Sequence, residues 1–124
     1  YYGDEIADVG GNDPDNRRML RFEGLNEQEE QTKSWLGAWA SMRTSRMSML
    51  YGTTTFDIQA EGLLHIQRTY MEEVTDIYLN RTDANLELPA AVEQPWVALA
   101  GSLTGGRFVP PFGAVALGQP SKID

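Results

Sequence analysis

Proline placement sets the tightest limit on what this chain can fold into. Five of the six prolines lie beyond residue 86. Each fixes its own φ, lacks the N–H that a helix ladder needs, and biases the residue before it away from helical angles. With Pro89, Pro95, Pro110, Pro111 and the glycines between them, no long helix can run through residues 86–124. Yet the stretch 96–118, WVALAGSLTGGRFVPPFGAVALG, is apolar and carries one charge, Arg107. No single period runs through it, although WVALA (96–100) and RFV (107–109) leave room for short strands.

Upstream, the spacing predicts helices. Asn26 is a good N-cap, and Glu29 three residues on can return the hydrogen bond as a capping box. Trp35, Leu36, Trp39, Met42, Met49 and Leu50 then recur at three- and four-residue intervals, and Gly52 suits a left-handed C-cap. A second stripe runs through Phe56, Ala60, Leu63, Leu64, Tyr70, Met71, Val74, Ile77 and Tyr78, with Leu63, Tyr70 and Ile77 seven residues apart. The expected fold is therefore mainly α: an antiparallel helical hairpin, about 26–51 and 55–81. It is flanked by an irregular acidic N-terminal arm (1–25) and an extended Gly/Pro-rich C-terminal arm (86–124). A short strand is expected in the N-terminal arm at MLRFEG (19–24), and the whole is expected to form one domain, consistent with 124 residues.

Charge and composition exclude several functions. The net charge is −8, and residues 1–30 hold nine acids against Arg17, Arg18 and Arg21. Such a surface repels phosphate backbones, so direct nucleic-acid binding is not expected. The absence of cysteine removes disulfides, thiolate nucleophiles and Cys-based zinc sites. A membrane span through 96–118 is not expected either, because its prolines and glycines would leave backbone groups unpaired in lipid. Residue 1 is Tyr, which suggests processing or a piece of a longer product.

Individual candidates offer little chemistry. His65, the single histidine, falls on the polar side of the expected second helix, near Glu61 and Glu72, and reads as a solvated side chain. Asp8, Asn12, Asp13, Asp15 and Asn16 could supply oxygens to calcium, but the loop lacks the EF-hand spacing and reads as a flexible acidic turn. Arg43 and Arg46 interrupt an apolar face and are expected to snorkel to water. NRT at 80–82 matches a glycosylation sequon. No catalytic residue, cofactor or metal ligand is expected.

The expected function is that of a non-enzymatic structural or interaction subunit in a larger assembly, for example a virion connector or capsid accessory component. Its partners would be protein subunits, copies of itself or others. The interface would be the C-terminal arm, through Trp96, Leu99, Leu103, Phe108, Val109, Phe112 and Leu117. The alternative is a small enzyme, or the accessory subunit of one, with a site between the hairpin and the tail.

Overall fold

A computed structural model describes residues 2–90, 92 and 96–119. Pro95, one of the helix-breaking prolines, lies outside the described residues. The chain divides into two compact units, residues 1–37 and 38–124.

In the first unit, 3-10 turns at Asp4–Ile6 and Asp15–Arg17 precede helix α1 (Glu27–Ser45), which continues past the unit boundary. The capping box forms: Glu29 N–H donates to Asn26 Oδ1 (3.0 Å), and Asn26 N–H donates to Glu29 Oε2 (2.8 Å). Residues 19–22 are irregular and pair with no strand among the described residues.

The helical hairpin is not the fold. Residues 53–80, expected as one helix, form three antiparallel strands: β1 (Thr53–Ala60), β2 (Leu63–Tyr70) and β3 (Glu73–Asn80). Strand plus turn repeats every ten residues, and the joining turns are Glu61-Gly62 and Met71-Glu72. Gly62 has φ +85°, a conformation that L side chains rarely adopt, and Met71 also sits at positive φ. Three consecutive threonines and a run of Ile, Val and Tyr suit a pleated surface better than a helix. The first helix is also shorter than expected. It ends at Ser45, Arg46 is extended, and a five-residue helix α2 (Met47–Tyr51) follows. Gly52 is extended rather than left-handed.

The C-terminal stretch completes the sheet. It contributes β4 (Leu86–Glu87), β5 (Val97–Gly101), β6 (Phe108–Val109) and β7 (Ala114–Gly118). The five-stranded sheet has the order β1-β2-β3-β7-β5, and β4 pairs with β6 separately. Gly101 takes φ +72° where the β5 backbone presses on the Ala114 carbonyl, so a side chain there would collide.

Every residue of β1 is exposed, whereas around β3 and β7 both faces of the sheet are covered. On one, Leu63, Tyr78, Val115 and Leu117 pack with Leu88 and Val109. On the other, Ile77, Ala100 and Ala116 pack with Met42 and Met49, with Trp39 half-buried beside them. The expected inner helical stripe is thus divided: Trp35, Leu36 and Leu50 are exposed. Arg46 does not snorkel. It is buried, its Nε donating to Thr75 Oγ1 (2.7 Å) and its Nη2 to the Val74 carbonyl (3.1 Å). Arg43 Nη1 donates to the Met49 carbonyl (3.1 Å). No helix of the described residues is long and apolar enough to cross a membrane.

Candidate functional site

The β2–β3 register builds a polar row on one sheet face. His65 lies opposite Tyr78, and Gln67 opposite Asp76. Because side chains alternate along a strand, these four point to the same side. The Asp76 carboxylate then ties the row together: Oδ1 accepts from Gln67 Nε2 (2.9 Å) and shares a hydrogen bond with His65 Nε2 (2.7 Å). His65 is stacked on the Tyr78 ring, with centroids 4.6 Å apart and planes 6° from parallel.

These groups line a cleft of about 370 Å³. Leu117 and Gly118 reach it from β7, opposite Asp76 and Thr75 in register. Pro89, Val92 and Trp96, from the chain around β4 and β5, supply apolar lining. Tyr78 is 3% exposed. Burial, reinforced by the nearby Asp76 charge, pushes its phenol up to about 12, so the hydroxyl stays protonated at neutral pH. Tyr78 Oη and Asp76 Oδ2 have no hydrogen-bond partner among the described residues.

His65 is therefore misplaced by the sequence reading. It is a mostly covered member of this cleft, not a solvated helix residue, since its side chain is 14% exposed. Asp76, Gln67 and Tyr78 were overlooked for the same reason. Asp76 and Tyr78 lie 11 and 13 residues from His65 and meet it only through strand pairing, which also brings Gln67, on the same strand as His65, to Asp76. That pairing is set by the Met71-Glu72 turn between β2 and β3, which contains no glycine, asparagine or proline to announce it in the sequence.

The other candidates scatter. In the first unit, Asp15 binds Arg18 (2.6 Å) and accepts from the Gly11 N–H (2.9 Å), which together hold its carboxyl below the usual range. Asp13 pairs with Arg17 (3.3 Å), and Arg21 with both Glu29 and Asp8. Guanidinium groups thus meet the acids of the 8–16 loop, Asp8, Asp13 and Asp15. Among the described residues no group of three or more His, Cys, Asp or Glu side chains is placed to hold a metal ion. Asn80 of the sequon is buried, its amide donating to the carbonyls of Ala84 (2.7 Å), Val109 (3.0 Å) and Pro110 (3.0 Å).

The seven side chains expected at an interface fall in different environments. Val109 and Leu117 are buried, and Trp96 and Leu103 pack beside them. Leu99 packs on the opposite face. Phe108 (38%) and Phe112 (75%) are exposed.

Comparison with known proteins corrects the expected function. No protein-family model matches the chain. It is 27% identical over 127 residues to a cyclomaltodextrinase of Geobacillus thermopakistaniensis (strain MAS1), covering 93% of this chain and 21% of that protein. It is 33% identical over 85 residues to a cyclomaltodextrin glucanotransferase of Bacillus sp. (strain 1-1), covering 68% and 12%. The fold matches a maltogenic amylase from S. marinus with a TM-score of 0.71 at 23% identity, over 97% of this chain and 17% of that one. It also matches an α-amylase from Geobacillus thermoleovorans, solved with acarbose, with a TM-score of 0.70 at 23% identity, over 98% and 29%. The chain spans about a fifth or less of the curated relatives it matches. A non-enzymatic structural subunit, and the virion component offered as its example, do not stand against relatives that are cyclodextrin-modifying enzymes and neighbours that are amylases. The likeness to the solved structures shows the fold, which is mostly β and not a helical hairpin.

Proposed function

We propose that this chain is part of a glycoside hydrolase or glucanosyltransferase acting on α-linked glucans, and that residues 38–124 form a β module accompanying the catalytic machinery. The observation that carries this reading is the similarity to a cyclomaltodextrinase along 93% of the chain. Its chemistry agrees with an accompanying role. Glycoside cleavage generally needs a pair of carboxyl groups flanking the scissile bond. Asp76 is the one carboxylate lining the sheet-face cleft among the described residues, and it is engaged by His65 and Gln67. The exposed Phe108 and Phe112 are then candidate contacts with other parts of a longer protein, which keeps the interface expectation in a narrower form.

The test is turnover. The longest product of the reading frame containing this sequence should release reducing sugar from β-cyclodextrin or maltooligosaccharides, or convert one into the other. A purified, folded product that leaves both substrates unchanged would overturn the reading.

A further inference from the structure

We propose that the sheet-face cleft, where Tyr78 Oη and Asp76 Oδ2 stand unpartnered beside Gln67 and Trp96, is a non-catalytic subsite for a short α-linked glucan. The proposal rests on the glucan-enzyme reading above for its linkage, and on the cleft itself for its ligand class.

The lining argues for a neutral, hydroxyl-rich ligand. Among the described residues it includes three glutamines, Gln59, Gln67 and Gln119, and neither lysine nor arginine, so these residues offer an anion no countercharge of that kind. A sugar hydroxyl both donates and accepts, and the cleft offers complements to both. Asp76 Oδ2 accepts, Tyr78 Oη does either, and the amides supply further donors and acceptors. Trp96 adds an aromatic surface of the kind that combines apolar contact with polar handles. At about 370 Å³ the cleft lies at the lower end of the range for ligand pockets, roughly 300–1,000 Å³.

The site is also built rather than accidental. The Tyr78 ring is buried, whereas its hydroxyl has no partner among the described residues and stays accessible from the cleft, so a ligand can reach it. Here the Tyr78 ring is held by its stack on His65, which is in turn held by Asp76, so the hydroxyl is positioned before any ligand arrives. Preorganisation of this sort reduces what binding must spend on ordering side chains.

The experiment uses the intact protein carrying this sequence, labelled with 5-fluorotryptophan, with the Trp96 resonance assigned through Trp96→Phe. Sulfur-linked maltotriose, which resists hydrolysis, is titrated in, and sulfur-linked cellotriose serves as the linkage control. A saturable shift of the Trp96 signal by the maltotriose analogue is expected, weakened roughly five- to tenfold by Tyr78→Phe, which removes one hydroxyl and keeps the ring. Should that variant fail to fold, Gln67→Ala is expected to weaken binding in the same direction. A Trp96 signal that never moves would overturn the subsite, as would affinity unchanged in the folded variants. Equal binding of the cellotriose analogue would overturn the α-linked assignment. Because the titration reads no turnover, a silent Trp96 in an active enzyme sinks the subsite alone, and a saturable shift in an inactive protein sinks the enzyme reading alone.

Discussion

The two units of this chain are held together by different physics. In residues 1–37 the visible ties are charged. Arg18 meets Asp15, Arg21 meets Glu29 and Asp8, and Arg17 meets Asp13, all at or near the surface. Ile6 is the single buried apolar side chain described there. In residues 38–124 the sheet is covered on both faces around β3 and β7, and Leu63, Val109, Val115, Ala116 and Leu117 are each at most 1% exposed. Exposed ion pairs contribute little, because water and salt screen them, whereas buried apolar area contributes steadily. The lesson is that the second unit carries its own stability and the first depends on conditions.

Four measurements would break or sharpen that contrast, and the largest effect is expected in the core. Leu117→Ala should cost about 2–5 kcal/mol by leaving a cavity between β3 and β5, read as a lower urea midpoint of the sheet. A sheet that keeps its midpoint would show that its core is not what holds it.

Asn80→Ala comes next. The substitution strands the Val109 carbonyl, where atoms are buried, and removes the acceptor for the Thr82 N–H and hydroxyl (2.8 Å each). A loss of roughly 1–3 kcal/mol is expected in the same urea assay. An unchanged midpoint would mean that water replaces all of these partners.

Alkaline pH should then separate the units. The Tyr78 pKa in the folded chain, about 12, is raised above its ordinary value of 10.0. Stability from keeping this phenol neutral is therefore fully present below pH 10 and is lost as pH rises toward 12. Tyr78→Phe should flatten that decline in the sheet's thermal midpoint, and a parallel decline in both proteins would remove Tyr78 as its cause. The arm's guanidinium groups are held above their ordinary range by their carboxylate partners, Arg18 by Asp15 and Arg21 by Glu29, so they remain charged across the same interval.

The smallest effect is expected from Arg18→Ala, which should speed amide exchange around Gly11–Arg18 and leave the sheet's urea midpoint unchanged. About 1 M salt, with a screening length near 3 Å, should act in the same direction. A drop in the sheet's midpoint in either experiment would end the division of labour described above.

Local signals were legible in the sequence, and long-range ones were not. The Asn26–Glu29 capping box needs only three residues of spacing, and it forms. The end of α1 could not be read the same way, because Arg46 is drawn into extended geometry by Thr75 and Val74, 29 and 28 residues away. The strands were misread for a subtler reason. Strands covered on both faces do not alternate cleanly between apolar and polar residues. The burial of β2 shows this, with every residue from Leu64 to Tyr70 intermediate. Without alternation, the seven-residue spacing of Leu63, Tyr70 and Ile77 imitates a helical stripe, although the strand-and-turn repeat is ten. The cleft was invisible until that register was known.

The strand order also dictates a sequence of events as the chain is made. Among the described residues β5 is joined to the sheet through β7 alone, and β7 is the later of the two in chain order. Residues 97–101 therefore leave the ribosome before residues 114–118, the segment that gives them their place in the sheet. Until then β3 presents an open edge of unpaired N–H and C=O groups, which is the kind of template on which nascent chains pair wrongly. The sheet closes from the inside, and a chain stalled or cut before residue 114 loses two strands rather than one.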